Sequence, residues 1–193
     1  RRYFSPKPEL NDKELDHFTA VDMVDRAALV VESHDEFIAW ASYERWPGRN
    51  EAEAASIERI RASLPEGTTH FNLAKSSPPI LTTLGIVALS AGFVGRDSGP
   101  MHLAAACARP FLAISSGWLW GRFFPETDGA VIVSRQVPCQ GCLGYCHLPE
   151  PFCVRRVTVP QFLEGWRLLQ SKRAKSTQIL EVPMDDELRA EIV

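Results

Sequence analysis

The sequence lacks an excess of positive charge. Lys and Arg total 21 against 24 Asp and Glu, a formal net charge of −3. The broad positive field behind nonspecific nucleic-acid binding is therefore missing, and no nucleic-acid partner is expected. Cysteine is scarce outside one place: of five, four fall between Cys139 and Cys153. A disulfide-stapled secreted domain spreads its cysteines along the chain, so this is not one. The opening Arg1-Arg2-Tyr3 has no apolar stretch behind it, and no secretory signal is expected. Long apolar runs are missing too. Residues 76–95 carry no charge, and their length is about that of a membrane span, but Ser76, Ser77, Pro78, Pro79, Thr82, Thr83, Ser90, Gly92 and Gly95 interrupt them. They read as a buried helix followed by a buried strand, and no transmembrane segment is expected. No repeat or low-complexity tract is visible. With 45% hydrophobic and 23% charged residues, collagen-like, coiled-coil and charged disordered classes are excluded.

What is present is a regular alternation. Pro6 and Pro8 mark an extended lead-in, and Asp12 can cap a helix reaching about Ala28. Ala28 to Val31 reads as a short buried strand or a helix end. Asp35 to Arg45 is ambiguous between helix and loop. Asn50 caps a helix over Glu51 to Leu64, stopped by Pro65 and Gly67. Strands are expected at Thr69 to Leu73, Phe93 to Gly95, Phe111 to Ser115 and Ala130 to Val133. Helices are expected over Pro79 to Ala91 and Pro100 to Ala108, and from Thr158, with Pro160 in its first turn, to about Lys172. Strands alternating with helices mean βα units, hence an α/β fold with a parallel sheet flanked by helices.

The most informative segment is Phe93-Val-Gly-Arg-Asp-Ser-Gly-Pro-Met-His-Leu-Ala-Ala-Ala-Cys107. A short strand runs into Asp97-Ser98-Gly99, and a helix starts at Pro100. Ligands of open α/β sheets sit beyond the carboxyl ends of strands, and free N–H groups at a helix start favour a phosphate. Gly99 allows close backbone approach and Ser98 adds a hydroxyl. Asp97 has the wrong sign for a phosphate and suits sugar hydroxyls. His102, on the first turn, points back to the same crevice. The plain alternatives are that Asp97 or Ser98 is only a helix cap and His102 a structural histidine. A nucleophile elbow is excluded, because Arg96 and Pro100 occupy its glycine positions.

The stretch "FNLAKSSPPILTTLGIVALSAGFVGRDSGPMHLAAACARPFLAISS" resembles the carboxyl-terminal domain of family 9 glycosyltransferases, the heptosyltransferase-like enzymes of lipopolysaccharide assembly. The later "GRFFPETDGAVIVSRQVPCQGCLGYC" and "FCVRRVTVPQFLEGWRLL" look like that family's tail. The resemblance covers about Trp46 to Leu169. It implies a Rossmann-like domain, the C-terminal half of a GT-B fold, over residues 46–172. Residues 1–45 would be a lead-in helix, linker or first βα unit, and 173–193 a C-terminal tail. It implies that Asp97 meets the donor sugar and that Ser98, Gly99 and His102 meet the diphosphate. The family commonly has Lys-x-Trp-Pro where this chain has Glu44-Arg45-Trp46-Pro47, so Arg45 and Arg96 are the candidate cations; solvated surface charge is the alternative for both. The family's acceptor site and Asp general base belong to an amino-terminal domain outside the matched stretch. No catalytic residue is therefore assigned, and the base is expected from an N-terminal half or a partner subunit. A cytoplasmic location, at most peripheral to the inner membrane, goes with this reading.

Cys139, Cys142, Cys146 and Cys153 supply four thiols in one loop, with Gly141 and Gly144 for the turns. Soft thiolates select zinc or iron, and four of them complete a closed structural site. Disulfides or free thiols are the alternatives. The loop is similar to the four-Cys metal finger of some autotransporter-modifying heptosyltransferases, with different spacing. Cys107 reads as a buried helical thiol. Trp118 and Trp120 can stack on a base or a sugar face, or pack as core or interface. The expected function is transfer of a sugar, ADP-heptose being the candidate donor, from a nucleoside diphosphate to a glycan, lipid or protein hydroxyl. No catalytic metal is expected. A non-catalytic GT-B-like binding or assembly module with a structural metal finger is the alternative.

Overall fold

The computed structural model describes residues 28–31, 37–41, 57–62, 66, 69–73, 79–118, 120–171 and 175–192. The helix expected from Asp12, most of the one expected over Glu51 to Leu64, and Arg45 with its neighbours lie outside the described residues; 57–62 are helical. The strands are β1 (Ala28–Val31), β2 (Phe37–Ala41), β3 (Thr69–Asn72), β4 (Gly92–Arg96), β5 (Phe111–Ser115), β6 (Ala130–Arg135) and β7 (Gln178–Val182). Between and after them come α1 (Ile80–Leu89), α2 (Gly99–Ala106), α3 (Phe152–Arg155), α4 (Val159–Gln170) and α5 (Asp186–Ile192).

The strands form one sheet in the order β3-β2-β1-β4-β5-β6-β7. From β4 to β7 every pairing is parallel, as the alternation of strands and helices requires. On the other side the sheet is mixed, with β2 and β3 parallel. β1 runs antiparallel to both β2 and β4. Only residues 32–36 separate β1 from β2, too few for the crossover of a dozen or more residues that a parallel pair needs. The ambiguous segment after Asp35 therefore resolves as strand, in keeping with the β-favouring Phe37, Ile38 and Trp40. Residues read as a C-terminal tail carry β7, which pairs with β6 through Val131–Gln178 to Arg135–Val182, and then α5. The alternating Gln178-Ile-Leu-Glu-Val182 gives the half-exposed pattern of an edge strand.

Every residue of β5 and β6 is buried. Two cores lie on opposite faces of the sheet and explain this. Phe93, Phe111, Ala113, Ala130 and Ile132 meet Val87 of α1 and Met101 and Ala104 of α2. Val94, Leu112, Ile114, Val131 and Val133 meet α3 and α4 through Val154, Phe162, Trp166 and Leu169. The result is a three-layer α/β/α domain. α2 packs on the sheet through Met101 and Ala104, and Gly95 leaves room for the Phe93 ring: a Cβ there would lie 2.3 Å from Phe93 Cζ.

α4 starts at Thr158 with a capping box. The Thr158 N–H donates to Gln161 Oε1 at 2.9 Å, and a proline sits in the first turn, as expected from sequence. Its closest contact with the sheet is at Gly165, where a Cβ would come within 2.7 Å of Val133 Cγ2 and 2.9 Å of Leu112 Cδ1. At the carboxyl end of β6 the buried Arg135, 2% exposed, pairs with Asp185 just before α5, tying the end of the chain to the sheet.

Gly165→Ala decides which of two opposing effects is larger. Helix propensity favours Ala by about 1 kcal/mol, while overpacking typically costs about 1–3 kcal/mol. Since both clashing atoms belong to a fully buried sheet, a net loss of stability is expected in urea unfolding. A gain would show that α4 can lift from the sheet without cost.

Candidate functional site

The site is built by the two-residue connection between β4 and α2. The β4–β5 ladder continues one residue past Arg96, since the Asp97 N–H donates to the Ile114 carbonyl at 2.9 Å. This anchors Asp97 at the carboxyl edge of the sheet. Ser115, the last residue of β5, places its hydroxyl 3.4 Å from Asp97 Oδ2 and 2.9 Å from the Ser116 carbonyl. Ser98 then takes the extended N-cap conformation, and α2 begins at Gly99.

Neither Asp97 nor Ser98 caps this helix. No side chain bonds to the N-cap position, and the Ser98 hydroxyl instead donates back to the Arg96 carbonyl at 3.1 Å. The helix start also presents fewer donors than expected from the sequence. Pro100 has no N–H, and the Met101 N–H is taken by the Ser98 carbonyl at 3.0 Å.

Asp97, half-buried, is the electrostatic centre of the turn. Burial raises its carboxyl pKa above the ordinary 3.8, and His102, the Ser115 hydroxyl and Arg96 pull in the opposite direction. Asp97, Arg96 and His102 are thus brought together on one turn, with Ser98, Gly99 and His102 exposed beside it. Arg45 is the one candidate of this set outside the described residues.

The next loop along the sheet edge follows β5. Of its aromatics, Phe124 packs on the α1/α2 side. Trp118, 50% exposed, and Phe123, also exposed, are not core, which leaves the interface and stacking readings for Trp118. Trp120 stands edge-on to Phe124, with ring centroids 5.3 Å apart. An open groove of about 530 Å³ is lined by Trp118, Trp120, Gly121, Arg122, Gly141 and Leu143.

The cysteine loop is docked against this aromatic loop. The Gly141 N–H donates to the Gly117 carbonyl at 2.6 Å, and the Leu143 N–H to the Trp118 carbonyl at 3.2 Å. Gly141, Leu143 and Gly144 all have positive φ, which folds the segment tightly over the Trp118 ring. Cys139 and Cys153 also share a small apolar cluster with Val137, Phe152, Leu148, Met184 and Ile192. None of the five cysteines is joined in a disulfide. Burial raises the Cys153 thiol pKa first, then the charges of Cys139, Cys142 and Cys146; burial likewise leads for Cys139, followed by Cys142 and Cys146. The four sulfurs therefore sit within electrostatic range of one another, and the donor set suits a soft metal. In the arrangement present, no three His, Cys, Asp or Glu side chains among the described residues are grouped so as to hold one.

The sheet and its polar turn define a Rossmann-like α/β domain, consistent with one half of a GT-B fold. A family model for glycosyltransferase family 9 (heptosyltransferase) matches residues 45–151, more than half of the chain, and the chain belongs to that family. The match takes in the Asp97 turn, the aromatic loop and three of the four clustered cysteines. Neither a curated protein nor a solved structure matches this chain. Among the described residues no helix is long and apolar enough to cross a membrane.

The raised Asp97 pKa has a direct consequence for stability. A carboxyl whose folded-state pKa lies above its unfolded value stabilises the fold only while protonated, and that contribution is lost as pH rises through the folded-state value. Asp97→Asn is therefore expected to melt higher than the wild type at neutral pH. The difference should vanish once the pH falls below the ordinary 3.8. A variant that melts lower at pH 7 would show that the carboxylate is held by favourable charge pairing instead.

Proposed function

We propose that the crevice at the carboxyl ends of β4 and β5 binds the nucleoside-diphosphate sugar donor of a glycosyltransferase, with ADP-heptose as the donor in lipopolysaccharide or glycoconjugate assembly. The observation that carries this reading is the carboxylate of Asp97, kept half-buried at the sheet edge where it neither caps a helix nor forms part of the core. A partly desolvated carboxyl with charged neighbours is characteristic of a group kept for ligand binding. Asp97 would accept hydrogen bonds from sugar hydroxyls. The Gly99 N–H and His102 would meet the diphosphate, joined by the Ser98 hydroxyl once it turns from the Arg96 carbonyl, with Arg96 supplying positive charge. These groups would also stabilise the departing diphosphate as the glycosidic bond transfers to the acceptor. The acceptor's general base would come from an N-terminal domain or partner subunit.

The cysteine loop would hold zinc or iron as a structural staple through Cys139, Cys142, Cys146 and Cys153. Four thiolates leave no open coordination position, so the metal would order the loop and take no part in the transfer. Loading would require the loop to draw its thiols together and release their protons.

Two measurements test these readings. In a thermal-shift titration with ADP, GDP, UDP and their sugar conjugates, a ligand at a hundredfold over its dissociation constant adds about 2.7 kcal/mol and raises the midpoint by a few degrees. One nucleotide should do this, and Asp97→Ala and His102→Ala should abolish it. A folded wild type that responds to none would favour a non-catalytic module. Elemental analysis of the purified chain should find zinc or iron in stoichiometric amount, lost in a Cys142→Ser/Cys146→Ser variant; a metal-free, folded chain would overturn the staple.

A further inference from the structure

We infer that the groove between the aromatic loop and the cysteine loop is the subsite for the donor's sugar ring, with Trp118 as its stacking platform and Arg122 as its polar rim. The inference rests on the donor-site reading above and adds the residues that distinguish a nucleotide sugar from the bare nucleotide.

Trp118 is built as a platform. Its backbone carbonyl accepts from the Leu143 N–H, and its indole lies against Gly144, where a Cβ would come within 3.1 Å of Trp118 Cε2. Half of the residue nevertheless remains open to solvent. A large aromatic held on one side and open on the other loses little conformational entropy on binding. Trp120 is fixed edge-on by Phe124, itself seated on the core. Gly121 and Gly141 place no side chain in the groove.

Chain connectivity puts this platform within reach of the diphosphate turn. Ser115 approaches Asp97 with its hydroxyl, and Trp118 follows three residues later. Three residues span roughly 11 Å at most. The Arg122 guanidinium at the rim offers donors alone. Hydroxyl oxygens of a pyranose can accept from it, while the apolar C–H face of the ring lies on the indole.

The test is calorimetric titration of the full chain with ADP, GDP or UDP, whichever binds, and with the matching ADP-glucose, GDP-mannose or UDP-glucose. Trp118→Ala should weaken the sugar conjugate about tenfold, equivalent to about 1.4 kcal/mol, and leave the bare nucleotide within about twofold. Trp118→Phe should retain most of the affinity, and the exposed Arg122→Ala should show the same selective loss, which separates recognition from misfolding. Equal weakening of nucleotide and conjugate would assign the groove to the base and overturn the inference, as would unchanged affinity for both. If the wild type binds no nucleotide at all, the donor-site reading fails and this one falls with it.

Discussion

The hydrogen bond from the Asp97 N–H to the Ile114 carbonyl extends the parallel β4–β5 ladder one residue beyond the strand. That bond holds the backbone of an ionisable residue at the sheet edge, where its carboxylate has no helix cap to make. It depends on the layers below. β5 is buried on both faces, so β4 has a fixed neighbour, and Gly95 lets Phe93 fold under the turn without displacing α2. The two-residue connection then leaves α2 no freedom to drift from the sheet. A polar turn on a rigid base can keep a carboxylate partly desolvated, a condition that is unfavourable for folding and useful for recognition.

The two loops beyond β5 and β6 behave as one structural unit. Backbone bonds from Gly141 and Leu143 to Gly117 and Trp118 join them, and the small cluster around Val137 and Phe152 seats the cysteine loop from beneath. Met184 and Ile192, near the end of the described chain, complete that cluster. Arg135 and Asp185 add a polar tie beside it. The last segment of the chain, β7 and α5, is thus coupled through packing to the loop that supports Trp118. A structural metal at the four cysteines would stiffen a unit that apolar contacts already assemble.

The chain belongs to glycosyltransferase family 9, and the described residues gather polar groups at one sheet edge. Asp97 faces His102 and Arg96, an arrangement suited to holding a polar, partly anionic ligand. The groove on the loop after β5 is aromatic and carries the Arg122 guanidinium at its rim.

Much of this was legible in the sequence because local rules governed it. Phe111 to Ile114 and Ala130 to Val133 are apolar runs that a doubly covered strand buries. Thr158, Pro160 and Gln161 announce a helix start through bonds made within four residues. The Asp97 turn stood out because Gly99 and Pro100 break a strand into a helix. What the tertiary structure decided involves contacts between residues distant in sequence. The antiparallel β1 depends on a connection too short to cross over, and β7 depends on an edge of β6 left open for it. The small number of donors at the start of α2 follows from a backbone bond at Met101 that composition does not reveal. Trp118 read as core or interface because large aromatics are usually buried, yet it stands half open because the cysteine loop supports only one side of it. Sequence patterns determine which segments can hide their apolar faces; only the packed structure determines which of those faces are left uncovered.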